Sequence, residues 1–214
     1  MKVYFISGLA ADSRVFKHIA VPAGYEMVHL DWLKPAVRET VGDYAMRMAE
    51  GIDRREPFAL LGLSFGGMLA AEIALQYAPA KTILVSSVPH YKHLPGYYRV
   101  AGVTGLHKLL PVAFMKKASV LKRFFTTETD EDKEMLRQLI RDSDDRFIQW
   151  AIDAIVRWKG GGDTFPHIHI HGTSDAVLPW RFTSPTHKIA GAGHLLVMNR
   201  PEELNKIIGE YLLT

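Results

Sequence analysis

"LLGLSFGGMLAAEIALQYAP", residues 60–79, is an apolar run broken by Gly62, Ser64, Gly66 and Gly67 before it resumes at helical spacing. Three glycines and a serine stand where a strand should pass smoothly into a helix. "FALLGLS" (58–64) reads as a buried strand, and "FGGMLAAEIALQYA" (65–78) as a helix stopped by Pro79. Such a junction needs a reason, and the rest of the chain supplies it.

The chain has 214 residues, 48% hydrophobic and 23% charged, enough for one domain with a well-buried core. It has no cysteine, which excludes disulfides, thiol catalysis and cysteine–metal sites. "MKVYFISGLAADS" at the N-terminus is too short an apolar stretch, and too quickly broken, for a signal peptide. No window approaches the ~20 apolar residues of a membrane span. A net charge of +3 argues for neither nucleic acid nor a membrane surface. The expectation is a cytoplasmic protein.

Outward from the junction, strands and helices alternate. "KVYFIS" (2–7), "YEMVHLDWL" (25–33), "KTILVSSV" (81–88), "HIHIHG" (167–172) and "THKIA" (186–190) read as further strands. "DSRVFKHI" (12–19) reads as a short helix capped by Asp12, and "TVGDYAMRMAEGIDRRE" (40–56) as a longer one. "PEELNKIIGEYLL" (201–213) closes the chain, with Pro201 and two glutamates suited to a helix N-terminus. The pattern predicts an α/β fold: a doubly wound, mostly parallel sheet of about six strands with helices on both faces. It breaks once, because the roughly 75 residues between Val88 and Phe165 carry no convincing strand and are too many for a connection. "EDKEMLRQLIRDS" (131–143) and "RFIQWAIDAIVRWKG" (146–160) read as helices there. The expected division is a core of residues 1–88 and 165–214, with 89–164 a helical cap insertion of the same domain.

The junction can now be read. Gly62-Leu63-Ser64-Phe65-Gly66 is G-x-S-x-G between a strand and a helix, the nucleophile elbow. So sharp a turn crowds the positions flanking the serine, and glycine relieves the crowding. The plainer alternative is a glycine turn that happens to contain a serine. The turn would push Ser64 outward at the carboxyl end of its strand, where open α/β sheets bind ligands. Phe65 would offer a backbone N–H at a helix N-terminus, suited to an oxyanion. A serine hydroxyl needs a base. Of ten histidines, His194 in "GAGHLLVMNRP" lies in a loop between the last strand and the last helix, at the same sheet edge. The base needs an orienting carboxylate, and Asp175 in "HGTSDAVLP" follows a strand at that edge. The second oxyanion donor should come from "SGLAADSRVF"; the N–H of Leu9 is the positional choice and Ala10 the alternative.

"ISGLAADSRVF", "GLSFGG", "HGTSD" and "GAGHLLVMNRPEEL" together resemble the α/β-hydrolase superfamily in order and approximate spacing. The resemblance implies a serine hydrolase, carboxylesterase-like, with Ser64, Asp175 and His194 as nucleophile, acid and base. Leu9 and Phe65 would be the oxyanion-hole amides. It implies no metal and no organic cofactor, and a small ester or related acyl compound as substrate. A lyase, a C–C bond hydrolase on the same triad and a ligand-binding receptor are the alternatives, and a homodimer is left open. Two departures stand out. Ser7-Gly8 replaces the family's common His-Gly before the oxyanion loop, and the chain starts at what resembles the family's third strand, without the first hairpin.

Three other features compete for attention. His167, His169 and His171 alternate along one strand at a spacing a metal could use, with no obvious fourth ligand. "GGGD" (160–163) lacks the lysine of a phosphate loop. From Ile73 to Thr127 there is no Asp or Glu, whereas Lys92, Arg99, Lys108, Lys116, Lys117, Lys122 and Arg123 occur; "TETDEDKE" follows. Two solvated helix faces that partly neutralise each other explain this. A positive rim for an anionic substrate, with Tyr91, Tyr97, Tyr98, Phe114, Phe124 and Phe125 supplying apolar walls, is the sharper expectation.

Overall fold

The structure, a computed structural model, describes residues 1–109 and 129–214. Six strands form one sheet: Lys2–Ile6 (β1), Glu26–Leu30 (β2), Phe58–Leu63 (β3), Lys81–Val85 (β4), Ile168–Gly172 (β5) and His187–Ile189 (β6). Their order is β2-β1-β3-β4-β5-β6, and every pairing is parallel. The expected fold class is therefore the one observed. The described helices are Val41–Met48 (α1), Phe65–Tyr77 (α2), Gly96–Thr104 (α3), Asp130–Asp142 (α4), Asp145–Arg157 (α5), Leu196–Asn199 (α6) and Pro201–Leu213 (α7).

Strand alternation feeds two cores. Tyr4, Ile6, Leu60 and Leu84 face one side, where they meet α1, α2 and α5 through residues such as Tyr44, Met68 and Phe147. Val3, Phe5, Leu61 and Ile83 face the other, where Leu204, Ile208 and Leu212 of α7 cover them. β3 is buried along its whole length, which is why "FALLGL" reads as an unbroken apolar run rather than an alternating one. In register, Ile6 of β1 stands opposite Gly62 of β3, and Leu63 opposite Val85 of β4. From β1 the chain winds outward to β2 and then, through β3, in the opposite direction. The crevice between the carboxyl ends of β1 and β3 is thus the switch point where such sheets bind ligands.

Some boundaries move. The helix expected over 12–19 is a single 3₁₀ turn, Ser13–Phe16, with Asp12 capping it by accepting from the Arg14 N–H. The helix expected over 40–56 is α1 plus a 3₁₀ turn at Ala49–Gly51, begun by a Thr40/Asp43 capping box. The strand expected from His167 begins at Ile168. Between β4 and β5, α3 was not legible as a helix in "GYYRVAGVT", whose two glycines and β-branched residues give weak local preference.

The acidic start of α4 docks on the core, where Lys17 Nζ lies 2.8 Å from Glu131 and 2.9 Å from Asp132, and at the other end of the helix Arg14 lies 2.8 Å from Asp142. Lys116, Lys117, Lys122 and Arg123, with Phe114, Phe124 and Phe125, lie outside the described residues. Lys108 is within 3.5 Å of Asp153.

α2 ends on Ala78, exposed and left-handed at φ 44°, directly before Pro79. A Cβ is disfavoured there, and glycine is the usual solution. Ala78→Gly is expected to stabilise the fold by up to about 1 kcal/mol, a rise in Tm of about 2–4 °C. A thermal melt that moves down would contradict the strain.

Candidate active site

The junction after β3 is tight in three directions. A Cβ on Gly62 would collide with the Gly66 carbonyl and Gly67 Cα; one on Gly66 would strike the Ile6 and Ser7 carbonyls at the end of β1. One on Gly67 would strike the Ser87 side chain after β4. The glycines therefore serve the approach of three neighbouring strands, and not only the turn itself. Ser64 sits at φ 53°, ψ −117°, a conformation L residues rarely adopt. The Ser87 hydroxyl donates to the Ser64 carbonyl at 2.6 Å and helps hold it there.

Ser64 Oγ is 2.9 Å from His194 Nε2, and His194 Nδ1 is 2.8 Å from Asp175 Oδ2. The three residues singled out in the sequence are thus brought into one chain of contacts. Asp175 and His194 are buried, and Ser64 is the member that reaches solvent. The loops that carry them are fastened together. Thr173 N–H donates to Ile189 O at 3.0 Å and Ser174 N–H to Ala192 O at 2.9 Å, so the loop after β5 lies along the loop after β6. Gly172 permits this, because a Cβ there would collide with the Ala192 carbonyl.

Asp175 is fully engaged. Its Oδ1 accepts the Val177 and Leu178 N–H groups at 2.8 and 2.9 Å; its Oδ2 faces His194 and, at 3.1 Å, His171 Nε2. Burial disfavours its charge, but His194 and His171 outweigh burial and hold the carboxyl well below the usual carboxylate range. His171 was legible only as one of three alternating strand histidines. It does not join a metal cluster: among the described residues no group of three or more such side chains converges. His169 Nε2 bonds His171 Nδ1 at 2.9 Å instead, while His167 turns to the Phe165 carbonyl.

The loop after β1 passes against Ser64: a Cβ on Gly8 would lie 3.4 Å from Ser64 Cβ. The Ser7 hydroxyl and the Trp32 ring N–H both donate to Ala11 O, at 3.0 and 2.7 Å, and Ala10 takes a positive φ of 60°. Leu9 belongs to this braced loop, between Gly8 and Ala10. Phe65 opens α2, so its N–H has no partner within the helix. From the segment between β4 and β5, the Tyr98 hydroxyl donates to Val177 O at 3.0 Å. Tyr97 lies close enough for the Asp175 charge, added to burial, to raise its pKa. Phe147 of α5 packs 4.8 Å from Trp32, whose ring stacks on Phe65.

A hydroxyl, an imidazole and a carboxylate in this order can deprotonate the hydroxyl as it attacks a carbonyl, with the carboxylate fixing the ring tautomer. The family model described as "Alpha/beta hydrolase family" matches residues 3–207. The chain belongs to that family. No curated protein matches it in sequence. Among solved structures it is similar to an esterase from Exiguobacterium antarcticum, with a TM-score of 0.78 at 19% identity, over 100% of this chain and 92% of that one. A bromoperoxidase from Bacillus anthracis gives 0.72 at 17%, over 100% and 92%. MenH from S. aureus gives 0.72 at 14%, over 100% and 93%. At such identities the likeness is one of fold.

Proposed function

We propose that the chain is a serine hydrolase that cleaves a small ester or related acyl substrate through an acyl-enzyme. The observation that carries this reading is the contact chain Ser64 Oγ–His194 Nε2, 2.9 Å, and His194 Nδ1–Asp175 Oδ2, 2.8 Å, at the switch point of the sheet. Ser64 attacks the carbonyl carbon while His194 takes its proton. Asp175 holds the imidazolium, and His194 returns the proton to the leaving alcohol. Water, deprotonated by the same ring, then releases the acid and frees Ser64. The N–H groups of Leu9 and Phe65 receive the oxyanion, a role supported by the place of Phe65 as the first residue of α2 and by the Gly8 loop lying against Ser64.

Residues 89–164 act in this reading as a cap over Ser64. The Tyr98–Val177 hydrogen bond and the packing of Phe147 on Trp32 support that placement. Serine at the elbow, where relatives in the superfamily with dehalogenase or epoxide-hydrolase chemistry carry Asp, favours an acyl-enzyme.

The test is labelling by a fluorophosphonate probe together with turnover of short p-nitrophenyl esters across a panel of acyl lengths. Labelling with turnover is expected. A chain that binds acyl compounds but is neither labelled nor turned over is a receptor, and the proposal fails. Catalysis needs a neutral imidazole, so kcat/KM is expected to fall on the acid side. A profile flat down to about pH 5, with chemistry rate-limiting, would contradict a histidine base.

A further inference from the structure

Behind Asp175 the hydrogen-bonded chain continues into the sheet through groups that the proposed reaction does not use. His171 is 0% and His169 1% exposed. His171 Nε2 lies 2.6 Å from Leu178 O and 3.1 Å from Asp175 Oδ2, while its Nδ1 faces His169 Nε2 at 2.9 Å. His169 Nδ1 in turn lies 3.5 Å from the Thr183 hydroxyl.

The tautomers follow from the partners. Both atoms facing His171 Nε2 are acceptors, so Nε2 carries the proton. A neutral His171 then presents Nδ1 as an acceptor, which His169 satisfies by donating from Nε2. That leaves His169 Nδ1 to accept from Thr183. Burial, the largest cause, pushes the His169 pKa well below the ordinary histidine range, in keeping with a neutral ring. Every hydrogen bond from Thr183 to Asp175 therefore points the same way, ending on the oxygen that receives the His194 Nδ1–H.

We propose that His171 is a positioning residue for the hydrolytic site: its Nε2–H clasps Asp175 Oδ2 and Leu178 O, and so fixes the oxygen on which His194 is aligned. The proposal rests on the reading of Ser64, His194 and Asp175 given above. Leu178 is held from both sides, its N–H donating to Asp175 Oδ1 and its carbonyl accepting from His171. The ring thus closes the 175–178 turn on the carboxylate. Filling this place in a doubly covered sheet requires only a side chain of similar volume, and an apolar one would need no partners. Two buried imidazoles with matched partners do something a leucine would not: they draw charge on Oδ2 away from His194 and restrain the carboxylate plane.

Removing the ring N–H has two consequences. The carboxylate loses a restraint, so the plateau kcat falls. Oδ2 keeps fewer donors, its charge concentrates toward His194, and the imidazolium is better stabilised. The ring then holds its proton to higher pH, and the acid limb of kcat/KM moves upward. Among the described residues, the other titratable groups facing this chain are His167 ahead of β5, His93 in the turn after β4, and the Tyr97 and Tyr98 phenols of α3. All are unchanged by substitution at 171.

The experiment compares wild type, His171→Phe and His171→Gln by ester turnover against pH, with folding checked by thermal melts. His171→Phe is expected to lose on the order of 10–100-fold in kcat, the usual loss when an outer partner of a site residue is removed. KM should change little, and the acid limb should move up. Glutamine places an amide N–H near the Nε2 position and should recover most of the loss. Nitrogen-15 spectra of the wild type should find His171 protonated on Nε2 and not on Nδ1; this reading stands even where the phenylalanine variant does not fold. A folded His171→Phe with wild-type kcat and limb, or a wild-type His171 protonated on Nδ1, overturns the proposal. A wild type that fluorophosphonate does not label at Ser64 overturns this proposal and the hydrolase reading together. Labelling with indifference to residue 171 overturns this proposal alone.

Discussion

Ser64→Ala is expected to abolish fluorophosphonate labelling and to lower kcat on the order of 10⁶-fold, toward the loss serine proteases suffer without their nucleophile. The fold should hardly notice. Alanine keeps the Cβ, and only the hydrogen bond to His194 Nε2 is removed, about 1 kcal/mol. Ser64→Gly separates chemistry from geometry. At φ 53°, ψ −117° any side chain is strained, and glycine is not. Ser64→Gly should therefore be as inactive as Ser64→Ala yet more stable by about 1–2 kcal/mol. A site that gains stability when its hydroxyl-bearing residue is removed is one where strain serves activity. Labelling that survives in Ser64→Ala would sink the assignment, because another hydroxyl would then be the nucleophile. Equal stability of the glycine and alanine variants would leave the strain argument without support.

That strained residue was also the most legible point in the sequence, for a physical reason. A strand that turns abruptly into a helix beside two other strands leaves no room for side chains, so glycines must appear at Gly62, Gly66 and Gly67. The six strands were legible because a parallel sheet covered on both faces needs short apolar runs ended by turn residues, and "FALLGL" is one. The positions of Asp175 and His194 followed from sheet-edge logic. What was not legible depends on partners distant in the chain. α3 is a poor helix by propensity and is held by contacts such as Tyr98–Val177. The acids that open α4 pair with Lys17, a partner that no local pattern reveals. "HIHIH" offered only a spacing that a metal could use, with no obvious fourth ligand. Only the approach of the 175–178 turn gives His171 its two acceptors.

Asp175→Asn is expected to lower kcat on the order of 10⁴-fold. The structure dictates how the amide must sit. Oδ1 accepts two backbone N–H groups, from Val177 and Leu178, so the amide oxygen must take that place. The NH₂ group is thereby forced into the position of Oδ2, facing His194 Nδ1. Donating there, it selects the imidazole tautomer with its proton on Nε2, the atom 2.9 Å from Ser64 Oγ. That nitrogen can no longer receive the serine proton. His171 loses an acceptor but keeps Leu178 O, so the turn should remain closed. Stability should respond to pH with a definite sign. The Asp175 pKa is depressed in the folded state, so its charge contributes stability that is present above the unfolded carboxylate pKa, near ~4, and lost as pH falls below it. Asp175→Asn removes that part of the acid sensitivity. The checks are kcat, the nitrogen-15 shifts of the His194 ring, and denaturant melts at pH 7 and on the acid side. A variant within tenfold of wild type would remove Asp175 from the orienting role. Of the two carboxylates next to test, Asp12 is paired with Arg14 at 2.7 Å, and Asp163 lies 3.7 Å from His93. A near-silent Asp175→Asn would therefore count against a carboxylate-oriented histidine altogether, and with it against the mechanism built on Ser64.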